Sequence, residues 1–236
     1  MSDTEFANTL NKRLVLILAF VFFIFTGRGE AYGEDIITPS HSVKDYCMKS
    51  GCDYQIFYSY FYENKLSYCA ARKHINSNRR QNALRHYVAG QVESSGLPAS
   101  VGLIPMLESS FSIGKKKGAK QHRAAGLWQF LPETGRDMGL IINRDVDERY
   151  DMQKSTEAGI RYVKWLVTRF NGDINLAILS YHAGVGRIEK LIENYQTDNP
   201  WFLSKLISEN FPDKDYLEKF HSYAVVLTTN GCGERQ

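Results

Sequence analysis

Apolar residues recur with a helical period of about 3.6 along most of the chain beyond residue 70, and hardly ever alternate with a period of two. Leu84, Tyr87, Val88 and Val92 form one stripe, closed by Gly96 and Pro98. Gly159, Tyr162, Val163, Leu166, Val167 and Phe170 form a second, which Asn171-Gly172 predicts to stop in a left-handed turn. Ile188, Leu191, Ile192 and Tyr195 form a third. Tyr216, Leu217, Phe220, Tyr223, Ala224 and Leu227 form a fourth, opened by Pro212 and Asp213. Between the second and third, INLAILSY is apolar nearly all round, the mark of a buried helix. Pro132-Glu133 suits the first turn of a further helix, stopped by Gly139. The predicted fold class is all-α.

Residues 32–70 give a weaker pattern. They are rich in aromatics (Tyr54, Phe57, Tyr58, Tyr60, Phe61, Tyr62) and predict short helices packed on the main body. The basic run from Arg72, Lys73 and His74 to Arg79 and Arg80 reads as a solvated connection.

The first residues change the picture. LVLILAFVFFIF at 14–25 follows Lys12-Arg13 and is too short for a bilayer span, which needs about 20 residues. Gly29 and Ala31 then offer a small-residue cleavage point. A signal peptide over 1–31 is predicted, with an uncleaved anchor as the alternative. Cys47, Cys52, Cys69 and Cys232 all follow it, and an even count in an exported chain favours two disulfides. Of three pairings, the expectation is Cys47–Cys52 across the turn Met48–Gly51, and Cys69–Cys232. No metal-ligand spacing is evident. With 236 residues, net charge +3 and pI ≈ 8.5, the chain is an ordinary globular domain with an appendage. That balance is too mild to argue for nucleic acid.

Candidate chemistry begins in PASVGLIPMLESSF. Glu108 stands among Ile104, Pro105, Met106, Leu107 and Phe111. Desolvation there would raise its pKa, so that it could stay protonated near neutral pH and act as a general acid. The bland alternative is a glutamate ending a helix and facing water. In AAGLWQFLPETG, Gln129 lies between two aromatic rings, Trp128 and Phe130. Such a pair can stack on a sugar while the amide bonds an acetamido group; the alternative is two core rings and a surface amide. SYHAGVGR puts Tyr181 and His182 at the end of the buried helix, before a turn at Gly184 and Gly186. Asp145, Asp147 and Asp151 read as helix caps and solvated carboxylates.

GLPASVGLIPMLESSF, AAGLWQFLPETGRDMGL, SYHAGVGRI and the later Tyr216 resemble, in this order, the catalytic domain of lytic transglycosylases. The similarity runs from about residue 84 to about 227. It implies a goose-lysozyme-like helical domain over 84–230, preceded by an N-terminal helical extension over 32–83. It implies cleavage of the MurNAc–GlcNAc bond of peptidoglycan, with closure of a 1,6-anhydro ring and with no metal or other cofactor. Glu108 matches the acid/base glutamate, and Gln129, Tyr181 and Tyr216 match residues of the glycan cleft. His182 stands where the family usually has Asn, and was also expected to face the glycan. Lys120 and Arg123 stand where the family usually has Ser and Gly. The loop carrying Lys115, Lys116 and Lys117 is longer than usual and would rim the cleft. The expected partner is the peptidoglycan glycan strand, in the periplasm or cell envelope, with an envelope-spanning secretion or conjugation machine as a further candidate. Two other functions stay open: a goose-type hydrolase, and a non-catalytic wall-binding subunit.

Overall fold

The computed structural model describes residues 41–114, 123–210, 215–229 and 231–233. The expected signal segment, Pro212-Asp213 and most of the basic loop (Lys115 to His122) lie outside them. The described residues form helices joined by turns. Their β pairing is limited to two isolated bridges, Ala125 with Phe130 and Ile142 with Asp147. The all-α expectation holds.

α1 is His41–Ser50 and α2 is Tyr54–Ser77. α3 is Arg79–Ser94, followed by a 3₁₀ turn at Ala99–Leu103 and the short α4, Ile104–Ser109. α5 is Pro132–Asp137, with Pro132 in its first turn as predicted. A 3₁₀ turn at Glu148–Tyr150 leads into α6, Met152–Arg169. α7 is Ile174–Ala183, α8 Val185–Tyr195, α9 Pro200–Asn210 and α10 Tyr216–Thr228. Acidic and amide side chains open many of these helices by accepting an orphan backbone N–H. Asp53 does so for α2, Asp151 for α6 and Asp173 for α7.

The aromatic-rich region departs from expectation. α1 is short, as expected, but the aromatic stretch belongs to one 24-residue helix, α2. No Gly or Pro occurs from Tyr54 to Ala89, and Phe57, Phe61, Tyr68 and Ile75 give that helix one buried stripe. The basic run is not a connection either. Arg72, Lys73 and His74 belong to the end of α2, and Arg79 and Arg80 to the start of α3. Asn78 alone separates the two helices. Its N–H bonds the His74 carbonyl, and its side chain accepts the Gln81 N–H.

α7 is the axis of the molecule, packed by α6, α8, α9 and α10 and buried from Asn175 through Ser180. α2 lies along α10. Two disulfides join these parts as expected: Cys47–Cys52, with Cα atoms 4.8 Å apart, and Cys69–Cys232, with Cα atoms 5.7 Å apart. The second ties α2 to the chain just beyond α10.

A buried polar chain also joins the N-terminal helices to the body. The Asn175 amide donates to the Ser50 and Gly51 carbonyls, which leaves its oxygen as an acceptor for His221 Nε2–H at 2.9 Å. His221 Nδ1 then accepts from the Tyr46 hydroxyl at 2.7 Å. The ring is stacked on Trp201 and met edge-on by Phe57 and Phe220. Burial lowers the His221 pKa to about 3, so the imidazole stays neutral as this bonding requires.

Candidate active site

Glu108 sits in the last turn of α4. The chain turns back at once, because Ser110 and Phe111 both take left-handed conformations, with φ of 51° and 53°. Their amides bond the Met106 and Pro105 carbonyls, ending the helix after six residues. Phe111 is buried and anchors the reversal. For two non-glycine residues this backbone costs roughly 1–3 kcal/mol each, and it leaves Glu108 half-buried at the edge of the core. The Gln81 amide donates to the Ser110 carbonyl, and the Ser109 hydroxyl lies 2.8 Å from the Leu127 carbonyl. Both bonds fix the glutamate's helix to its neighbours.

The loop carrying Gln129 is a tight turn closed by the Ala125 N–H on the Phe130 carbonyl. Gly126 has φ +76°, and a Cβ there would lie 1.7 Å from the Arg149 carbonyl oxygen. Arg149, 1% exposed, holds the loop from below. Its guanidinium donates to the Arg123 and Phe130 carbonyls and pairs with Asp147. The sequence did not single out this arginine; Asp147 does cap the turn at Glu148–Tyr150, as expected, by accepting the Arg149 N–H. A lone arginine in a polar stretch carries no signal that it will be buried. Glu148, beside it, bonds the Ile141 amide and contacts Lys154; these hold its carboxyl below the usual range, the lysine contributing most.

The two rings flanking Gln129 do not face a sugar. Trp128 and Phe130 are buried, and Trp128 packs so closely on α6 that a Cβ at Gly159 would lie 2.4 Å from its ring. The aromatic-platform reading of these two residues is therefore replaced by the core reading. Gln129 is half-buried, with φ 49°, and its amide nitrogen donates to the Gly126 carbonyl at 2.6 Å.

The four other expected site residues divide into two groups. The Tyr181 hydroxyl donates to the Trp128 carbonyl at 2.7 Å, so this tyrosine bonds the loop that carries Gln129. Its hydroxyl pKa is pushed well up by burial first and then by the negative charge of Glu108. The Tyr216 hydroxyl donates to Glu108 Oε1 at 2.8 Å. His182 lies flat on the Tyr216 ring, with centroids 4.0 Å apart and planes 12° apart. Glu108, Tyr216 and His182 are thus in one line of contact, with Tyr181 within electrostatic reach. Gly184, φ +87°, ends α7 just after His182, while Gly186 falls inside α8 instead of the turn. Arg123 is exposed at the start of the loop.

The sequence that builds this half-buried glutamate, the tyrosine donating to it and the glycine-built loop matches known proteins. Residues 75–203 match the Transglycosylase SLT domain, more than half of the chain. The chain belongs to this family. Membrane-bound lytic murein transglycosylase D of Escherichia coli (strain K12) is 34% identical over 132 residues, 56% of this chain and 28% of that protein. The protein of the same name from Escherichia coli O6:H1 (strain CFT073) gives the same figures. A protein of Alteromonas sp. (strain M-1), named for tributyltin chloride resistance, is 34% identical over 110 residues, 46% of this chain and 51% of that one. This SLT-family chain therefore spans between about a quarter and a half of the length of the curated relatives it matches. Among its described residues there is no cluster of side chains suited to a metal ion, and no helix is long and apolar enough to cross a membrane.

Proposed function

We propose that the protein is a peptidoglycan lytic transglycosylase, a carbon–oxygen lyase that cleaves the MurNAc–GlcNAc β-1,4 bond with Glu108 as acid and then base. The observation that carries the reading is the hydrogen bond from Tyr216 to Glu108 Oε1, inside a domain of the Transglycosylase SLT family. A donor on Oε1 marks that oxygen as the acceptor and leaves the acid proton to Oε2. Glu108 gives this proton to the departing glycosidic oxygen. The neighbouring N-acetyl group stabilises the positive charge at C1. The resulting carboxylate, still bonded by Tyr216, takes the proton of the C6 hydroxyl, whose oxygen bonds C1 and closes the 1,6-anhydro ring. No water is consumed, and the glutamate returns to its starting form. One carboxylate suffices here, whereas hydrolysis by a pair needs two facing each other. Asp147 and Asp151 are occupied in pairing with Arg149 and capping α6.

In this scheme Gln129, Tyr181, His182 and Tyr216 line or shape the glycan cleft around Glu108. The catalytic domain spans 84–230, the N-terminal extension 32–83 and a signal peptide 1–31. The protein acts on glycan strands in the periplasm or cell envelope, for which the membrane-bound name of the Escherichia coli relative is support. A localised gap for an envelope-spanning machine is the narrower role within the same chemistry.

Mass spectrometry of fragments released from purified sacculi tests the reaction. Wild type should release anhydro-muropeptides, one water lighter than hydrolysis products, and Glu108→Gln should release almost none. Hydrated products would make the protein a lysozyme-type hydrolase. Absence of any release by wild type would leave a wall-binding subunit.

A further inference from the structure

Tyr216 is the first residue of α10, and Asp215 before it takes φ 62° and gives the helix no side-chain cap. Burial, at 6% exposure, rather than a cap sets its place. The reaction proposed above needs the Tyr216 hydroxyl on one oxygen of Glu108 through both proton transfers. One contact that opposes rotation of the ring is with His182, 34 positions earlier in the chain. It lies on the last turn of α7, itself the buried axis of the molecule. The two rings are nearly parallel and in van der Waals contact at 4.0 Å, closer than any other ring pair in the described residues. Aromatic pairs in such contact hold each other's orientation beyond what area burial supplies.

We infer that His182 is a positioning residue: its flat imidazole ring, stacked on Tyr216, holds the tyrosine hydroxyl on Glu108. This inference rests on the transglycosylase reading for its kinetic arm only. It assigns His182 a part different from direct glycan contact. The side chain acts through Tyr216 and leaves proton transfer to Glu108.

The test compares His182→Ala, His182→Phe, Tyr216→Phe and the double variant His182→Ala/Tyr216→Phe. With sacculi as substrate, His182→Ala should lower kcat about tenfold with KM within about twofold. His182→Phe keeps a flat ring and should restore kcat to within about twofold of wild type. The double variant should be no slower than Tyr216→Phe alone, because the ring then has no hydroxyl to hold. A His182→Phe protein as slow as His182→Ala, or a His182→Ala protein with raised KM and unchanged kcat, would overturn the inference in favour of glycan binding by the imidazole. A second arm does not depend on turnover. A bond donated to a carboxylate favours its charged form. The titration midpoint of the Glu108 carboxyl, followed by carbon-13 NMR, should therefore move up in Tyr216→Phe and His182→Ala and stay in place in His182→Phe. Equal midpoints in wild type and His182→Ala would refute the positioning role whatever the enzyme proves to cleave. Failure of wild type to cleave glycan would refute the function and leave this arm standing.

Discussion

Helices α7 and α10 meet twice, once at each end of α7. Asn175 and His221 make one contact, and His182 and Tyr216 the other, seven residues further along α7 and five back along α10. At 1.5 Å per residue the two contacts are about 10 Å apart. Each contains a histidine beside aromatic rings, and they are built to opposite ends. At the first, every polar atom of the chain Tyr46–His221–Asn175 has a partner, and burial keeps His221 neutral. That contact locks the N-terminal helices on and has nothing to exchange. At the second, a half-buried histidine lies on a buried tyrosine, beside a half-buried glutamate at the end of a short helix with a costly turn. A reacting site needs groups that can change partners, and the closed contact behind it supplies the rigidity on which these can rely.

The largest expected effect falls on the open end. Glu108→Gln should cost at least 10²–10⁴-fold in muropeptide release, the usual worth of a positioned acid–base group. Its melting temperature should stay near wild type. A folded Glu108→Gln protein of normal activity would erase the functional half of the contrast.

Next in size is His221→Leu. It removes the partner of the Asn175 oxygen and of the Tyr46 hydroxyl, and should destabilise the fold by about 1–3 kcal/mol in urea unfolding. Loss below about 0.5 kcal/mol would mean that the closed end is not structural.

Opening Cys69–Cys232 with two serines should cost roughly 2–4 kcal/mol. Activity per folded molecule should be unchanged at low temperature, since the bridge lies far along α10 from Tyr216. A matching fall in kcat would show that the two ends are mechanically coupled.

The smallest effect per step is in pH. The folded His221 pKa of about 3 lies below the ordinary 6.5 of the unfolded chain. The unfolded state therefore gains a proton first as pH falls. Stability from this residue is full above about pH 6.5, and drops by roughly 1.4 kcal/mol per unit between there and about pH 3. Glu218, whose carboxyl burial raises, works with the opposite sign, losing stability as pH rises through its folded value. Comparison with His221→Gln isolates the histidine. An acid slope as steep in that variant as in wild type would assign the loss elsewhere.

Much of the fold was legible because helical periodicity is a local signal. The stripe ending at Asn171-Gly172 and the all-round apolar INLAILSY mapped directly onto α6 and α7. Residues 72–80 misled because charge was read as a break between helices, whereas Lys73, His74, Arg79 and Arg80 are solvated, as expected, and yet helical. Ile75, one buried residue per two turns, was enough to keep Arg72, Lys73 and His74 helical. At the candidate site, ordered motifs singled out Glu108, Tyr216, Tyr181 and Gln129. Their division of labour was not legible, because a hydrogen bond such as Tyr216 to Glu108 spans 108 positions. Trp128 shows the same limit from the other side. Nothing in GLWQF tells that the indole will lie against Gly159 on a later helix, and only the packing turns a candidate sugar platform into core.

The Cys69–Cys232 bond has a topological consequence besides its stabilisation. Its partners are 163 positions apart, so it closes most of the described chain, with Glu108, Gln129, Tyr181 and Tyr216 all inside, into one covalent ring. A single cut by a protease anywhere on that ring opens it without releasing a fragment. The pieces remain tethered and close enough to re-form their contacts. Such a nicked molecule would run as one band without reductant and as two with it. One hydrolysed peptide bond within the ring would then be survivable damage.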